Sequence, residues 1–215
     1  MEPIPNGLIF AVFNGMDPFP SLTIKTKYAD LVELLPEHAP DVFDFASHEQ
    51  VAKTVVWEAH RSQEDSKRYI ERVKSRQSAK EDSIFLSWGV RELKSSKIIG
   101  LVSLTQLSDI RAQVGYVFHY EHWNSKLPVE CIKALTRYSF STFKNLERLQ
   151  ARCFPTNSSS INLMEKAGFH YEGVNQAMIK VKNELQDLTC FSMTRKRWIG
   201  LSLSEHSDED FLEHI

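Results

Sequence analysis

The stretch Cys153-Phe154-Pro155-Thr156-Asn157-Ser158-Ser159-Ser160-Ile161-Asn162-Leu163-Met164-Glu165-Lys166-Ala167-Gly168-Phe169, followed by Tyr171-Glu172-Gly173, decides the fold. Leu149 to Phe154 reads as an extended strand, and Pro155 ends it. Asn157 or Ser158 can then accept a hydrogen bond from a free amide of a helix expected from about Ser158 to Ala167 and stopped by Gly168. A strand that runs straight into a helix N-terminus leaves unpaired amides and the positive end of a helix dipole at the strand's end, where an anionic ligand can sit. The same residues also serve as a plain helix cap.

Upstream of this junction, Leu127, Cys131, Leu135, Tyr138 and Phe143 recur at steps of three to five and predict a long helix with one apolar face. Before it, Ile84–Val90, Ile98–Leu104 and Gln113–His119 read as three consecutive antiparallel strands separated by polar turns. The first third reads as an extended segment over Leu22–Leu35, a helix opening at Pro36, and a helix started by the capping-box-like pair Ser62 and Asp65. A final pair of strands flanks Lys182-Asn183-Glu184. The outcome is α and β elements interleaved around one sheet, over a domain at 22–198. Residues 1–21 form a Pro-rich N-terminal extension and 199–215 an acidic C-terminal tail.

Hydrophobic residues make up 42% of the 215-residue chain and charged ones 25%, which suits one globular domain. The 26 basic and 28 acidic residues give a net charge of -2, without the basic excess of a general nucleic-acid binder. Arg195-Lys196-Arg197 is the one local basic run of note, and it reads as a solvated strand end. No apolar run approaches the ~20 residues needed to span a bilayer. Cys131, Cys153 and Cys190 are odd in number, widely spaced and set in apolar stretches, which predicts reduced thiols, no metal site and a cytoplasmic protein.

The order strand, Pro-x-Asn-x-x-Ser, short helix ending in Glu165-Lys166-Ala167-Gly168-Phe169, then Glu172-Gly173 resembles the GNAT superfamily of acyl-CoA-dependent N-acetyltransferases. Within it, the RimJ/RimL branch, which acetylates protein N-termini, is the most similar. Ile99-Gly100-Leu101-Val102-Ser103-Leu104, Val114-Gly115-Tyr116, the helix with Glu130 and Ala134, and Leu146-Glu147-Arg148-Leu149-Gln150-Ala151-Arg152 agree, so the resemblance runs from about Lys27 to Trp198. It implies an α/β (α+β) fold whose mixed, mostly antiparallel sheet of about seven strands is flanked by about four helices. The cofactor cleft would lie between splayed fourth and fifth strands.

It also implies acetyl-CoA as cosubstrate and an amine acceptor, a protein N-terminal α-amine above others. No nucleic acid or membrane partner is expected, and oligomeric state has no signal in the sequence. Cofactor contacts map onto Val117, Phe118 and His119, beside an expected bulge, then onto Trp123, Asn124, Ser125, Lys126 and Leu127, and onto Asn157 and Ser160. The catalytic candidates are Ser160 as acid, Asn157 at the junction, and His119 as a base at the end of the fourth strand, with His122 and Glu172 as other bases. Met164 and Ile179 stand where relatives carry a tyrosine and a glutamate.

The family's loop before the long helix usually carries glycines that admit phosphate; here it reads Trp123-Asn124-Ser125-Lys126-Leu127-Pro128. On one reading Asn124 tolerates the turn, Lys126 adds a cation and Pro128 sits early in the helix at little cost. On the other the loop blocks the cofactor. The alternatives to an N-terminal acetyltransferase are therefore a small-molecule amine acetyltransferase and a non-catalytic GNAT-like binding domain.

Overall fold

A computed structural model describes residues 23–78, 84–181 and 183–212, with backbone alone from 205 onward. The extension at 1–21, Lys182 of the last turn and the side chains of the acidic tail lie outside those residues. In chain order the strands are β1 (Ile24–Lys25), β2 (Ala29–Val32), β3 (Phe85–Glu92), β4 (Ile98–Ser108), β5 (Arg111–Phe118), β6 (Arg148–Cys153), β7 (His170–Val181) and β8 (Glu184–Thr194). The helices are α1 (Ala39–Ala46), α2 (Glu49–Ala52), α3 (Gln63–Ser78), α4 (Lys126–Thr142), α5 (Ser158–Lys166) and α6 (Arg195–Leu212).

The eight strands form one sheet in the order β1-β2-β3-β4-β5-β6-β8-β7, antiparallel throughout except for β5 beside β6. This is the mixed, mostly antiparallel sheet flanked by helices that the sequence predicts. The extended segment before Pro36 divides into β1 and β2, because Thr26 Oγ1 accepts from the amide of Ala29 at 3.1 Å and donates to its carbonyl at 2.6 Å, closing a turn. The strands expected as fourth and fifth are therefore β5 and β6.

Each face of the sheet carries its own core. Leu127, Cys131, Leu135 and Phe140 of α4 pack with Met164 of α5 against Trp88, Val102 and Leu149. On the other face Val42 and Phe45 of α1 and Ile70 of α3 pack against Leu101 and Val117. The start of α3 is a reciprocal cap: Ser62 Oγ accepts from Asp65 N at 3.2 Å and Asp65 Oδ2 accepts from Ser62 N at 3.0 Å.

The expected tail at 199–215 begins inside α6, which the acidic sequence does not betray by any apolar stripe. Its first residue anchors the opposite face. The Arg195 guanidinium donates to the carbonyls of Phe140, Phe143, Lys144 and Leu146 at 2.7–3.1 Å, capping the C-terminal end of α4. Arg197 Nε donates to Gly168 O at 2.7 Å. Two of the three residues in the basic run thus bind backbone within the fold.

The β4–β5 ladder is unbroken from Gly100↔Phe118 to Gln106↔Ala112, so the bulge expected at Val117–His119 is absent from it; the register shift falls at Gln106/Ser108 instead. Close approach of the two backbones holds this pairing. A Cβ on Gly100 would lie 2.4 Å from Val117 O and 3.0 Å from Phe118 Cα. Backbone, unlike a flexible side chain, cannot swing aside, so Gly100→Ala should destabilise the protein by about 1–3 kcal/mol in denaturant unfolding. Unchanged stability would mean that β5 is free to move.

Candidate active site

The site begins where two strands part. β5 and β6 pair in parallel only over Arg111↔Arg148, Ala112↔Leu149 and Gln113↔Gln150, and beyond Gln113 they diverge. On the other edge of β5, His119 N donates to Ile99 O at 2.7 Å. In an antiparallel ladder, alternate residues face the partner strand. With this register the Val117 and His119 amides point at β4, and those of Tyr116 and Phe118 point into the gap beside β6. Phe118 O lies on that same side, accepting from Trp123 Nε1 at 3.0 Å.

The loop leading into α4 forms the second wall. A short 3-10 turn at Tyr120–His122 is followed by Asn124 at φ +62°, the left-handed conformation that asparagine tolerates better than other residues bearing a Cβ. Ser125 is the N-cap of α4, and its amide is occupied by His122 O at 3.2 Å. Pro128 is the third helical residue, where an amide would have no partner within the helix. The Lys126 and Leu127 amides remain, unpaired within the helix, at the positive end of its dipole.

The third wall is α5. Asn157 caps it, with Oδ1 accepting from Ser160 N at 3.0 Å, as its position after Pro155 predicts. Ser159, Asn162, Leu163 and Lys166, at helical spacing, turn one face toward the loop before α4.

These walls enclose a cleft lined by Val117, Phe118, Trp123, Asn124, Ser125, Asn157 and Ser160 among others, so seven of the sequence candidates come together. A second cavity of about 310 Å³ opens on its far side, and Thr54, Tyr116, Val117 and Ser160 line both. The Tyr116 hydroxyl is buried there with no hydrogen-bond partner among the described residues. Ser160 lies beside it without the geometry of a formed bond. Burial drives the Tyr116 phenol well above its usual range, so it is protonated at neutral pH. The Cys153 thiol at the same wall is pushed up to about 11, again by burial.

Three candidates are placed elsewhere. Leu127 is buried in the α4 core, and the exposed Lys126 side chain is not among the residues lining the cleft. The His119 ring lies outside both cavities, stacked on Tyr120 at 4.6 Å with Nδ1 accepting from Glu121 N at 3.3 Å. The other proposed bases fare no better: His122 lies 3.9 Å from Glu92, and Glu172 is bound by Arg148 and by Ser192 Oγ at 2.8 Å. The Arg148 guanidinium, first, and Ser192 hold the Glu172 carboxyl below its ordinary range.

The sequence reading passed over Thr54, Tyr116, Asn162 and Lys166. The spacing from Ser159 to Lys166 carried a signal for Asn162 and Lys166, since both share a helix face with Leu163. Nothing local marks Thr54, which reaches the cleft from the turn after α2, where its hydroxyl donates to Val51 O at 2.8 Å.

Comparison with known proteins agrees with this geometry. The family model described as acetyltransferase (GNAT) domain matches residues 30–170. The uncharacterized N-acetyltransferase p20 of Bacillus licheniformis is 32% identical over 90 residues, 42% of this chain and 50% of that protein. The chain thus spans about half the length of the curated relatives it matches. The solved ribosomal-protein-S5-alanine acetyltransferase from Vibrio fischeri superposes with a TM-score of 0.67 at 17% identity, covering 82% of this chain and 98% of that one. The microcin C7 self-immunity acetyltransferase MccE, solved with acetyl-CoA and AMP, gives 0.68 at 18% identity, covering 78% and 93%. At such identities the likeness is one of fold. Among the described residues no helix is long and apolar enough to cross a membrane.

Burial lowers the pKa of His119 and of His60, whose Nδ1 lies 2.9 Å from Ser66 Oγ. The unfolded chain takes up these protons near pH 6.5 while the folded chain resists them, so the stabilisation is present above that pH and lost as pH falls below it. The melting temperature should therefore drop between about pH 7 and pH 5.5, and less so in a His60→Gln/His119→Gln variant. An equal drop in both proteins would assign the effect to other groups.

Proposed function

The chain belongs to the GNAT acetyltransferase family, and on that premise we propose that it is an acetyl-CoA-dependent N-acetyltransferase acting on α-amines, of the RimJ/RimL type. The observation that carries this reading is the wedge between β5 and β6, where strand amides beyond the last β5–β6 pair border a cleft that Asn124, Ser125 and Pro128 at the start of α4 also line. Anionic phosphate and a polarisable carbonyl are the ligands such donors fit. The left-handed Asn124 answers the missing glycines and favours cofactor binding over the non-catalytic alternative.

In this assignment the loop and first turn of α4, which meet the cleft at Asn124, Ser125 and Pro128, border the pyrophosphate at the positive end of the helix dipole, with the Lys166 side chain on the facing wall. Phe118 N–H is the strand donor available to a thioester carbonyl; Val117 and His119 are engaged with β4. Bound acetyl-CoA supplies the acyl group and a thiolate leaving group. Ser160 stands at the boundary of the two cavities, where it would give its proton to the departing sulfur and regain one from the nitrogen that has attacked, with the Tyr116 hydroxyl adjoining it. Among the described residues no carboxylate lines either cavity as a base. An α-amine of pKa ~7.8 is about a quarter neutral near pH 7.4, whereas a lysine is neutral to only about one part in a thousand. The missing base therefore favours an α-amine. The Asn157-to-Ser160 motif supports the branch.

Calorimetry with acetyl-CoA should show micromolar binding, near -8 kcal/mol. Asn124→Gly should preserve it, and Asn124→Val should weaken it about tenfold, the cost expected for a β-branched residue forced into a left-handed turn. Ser160→Ala should slow turnover at least about a hundredfold with little change in cofactor affinity. Absence of binding by the native protein would favour the non-catalytic reading, and unchanged turnover would leave Ser160 a helix residue only.

A further inference from the structure

The second cavity has an uneven charge. Of the described residues that line it, Arg152 is the one charged side chain; the remainder are apolar groups such as Val55, Trp57 and Phe85, or neutral polar ones such as Ser87, Ser103 and Gln113. Arg152 is half-buried and makes no hydrogen bond or ion pair with any described residue. The contrast with its neighbour on the strand is direct. Arg148 projects from the same face of β6 four residues earlier, where alternation places residues of equal parity, and its guanidinium is neutralised by Glu172. Arg152 has no such counterpart among the described residues.

A guanidinium does not lose its proton in a protein, and its planar fork matches a carboxylate in a two-bond pairing. Holding it half-buried without an anion forfeits hydration and gains no Coulomb attraction. Among the described residues the cavity also offers no carboxylate to an incoming ammonium. Its electrostatics therefore suit a neutral amine on a molecule that carries a negative charge.

We propose that Arg152 is an anion-recognition residue of the acceptor site, selecting amines that bear a carboxylate a few bonds away. The separation follows from placement: Arg152 lines the same cavity of about 310 Å³ as Ser160, the residue assigned to the transfer, so the charge recognised lies within one or two amino-acid residues of the amine. The carboxylate is accordingly the side chain of an acidic residue at the first or second position of a peptide, or the α-carboxylate of a free amino acid. The identity of the acceptor rests on the acetyltransferase reading above; the anion site itself does not.

The test uses product analogues, so that it reads binding without turnover. N-acetyl-Ser-Glu-amide is compared with N-acetyl-Ser-Gln-amide, and N-acetylserine with N-acetylserinamide, by calorimetry on the full chain with CoA present. At least one charged probe should bind about tenfold or more tighter than its neutral partner. Which pair discriminates tells a peptide side chain from an α-carboxylate. The preference should vanish in Arg152→Gln and persist in reduced form in Arg152→Lys, which keeps the charge and loses the fork. Equal affinities within both pairs, no binding by any probe, or a preference that survives in a folded Arg152→Gln protein would each overturn the proposal. Arg152→Lys keeps the test open should Arg152→Gln fail to fold. Acidic preference without acetylation of any amine would sustain the anion site and remove the transferase reading; acetylation of peptide amines with no acidic preference would do the reverse.

Discussion

Three residue pairs hold β5 to β6, and the end of that pairing at Gln113 and Gln150 is the constraint on which the site depends. A sheet that stayed paired would bury the Tyr116 and Phe118 amides in a ladder. Because β6 turns away, those donors face open space, and that space becomes the cleft. The divergence is sustained from both sides: β4 holds β5 through a ladder with Gly100 against its backbone, and β8 holds β6 along its whole length from Arg148↔Thr194 to Cys153↔Thr189. Each strand is committed to its outer neighbour, so the gap between them cannot zip shut.

Helix ends then furnish the gap. The α4 N-terminus reaches it through Asn124, whose left-handed turn sets the exit of the loop, and the α5 N-terminus through the Asn157 cap. At the far end of α4, Arg195 ties four carbonyls to the start of α6 and stacks 5.1 Å from the Phe140 ring. That clamp fixes the helix whose start, at Ser125 and Pro128, lines the cleft. The hydroxyls of Tyr116 and Ser160 meet between the two cavities because one comes from a strand of the splayed pair and the other from the helix that follows its partner.

Much of the fold was legible in local patterns. The stripe from Leu127 to Phe143 gave the α4 face, Ser62 and Asp65 the start of α3, and the Pro155-to-Gly168 stretch both ends of α5, since caps, stops and periodicity act within a few residues. The division of β1 from β2 rests on the Thr26 side chain, and the continuation of the tail into α6 has no apolar stripe to announce it. The site was half legible. Asn157 and Ser160 stand in a motif, whereas the His119 ring was expected in the cleft by chain proximity and is held outside it by Tyr120 and the Glu121 amide.

By itself the sequence determined the alternation of most elements, the caps and stops of α3 and α5, the absence of glycine from the loop before α4, and the chemical groups available to the chain. Only the tertiary structure decided which of those groups share a space. The parity of the β4–β5 ladder selects Phe118 over Val117 and His119 as the free donor, the helical face of α5 selects Lys166 over Lys126 as the lining cation, and the arrangement around β6 pairs Arg148 while leaving Arg152 without a partner among the described residues. Caps and periodicities act between residues a few positions apart, and so they are written locally. Ladder parity, strand divergence and charge pairing depend on which distant segments become neighbours, and that is settled only when both faces of the sheet are covered.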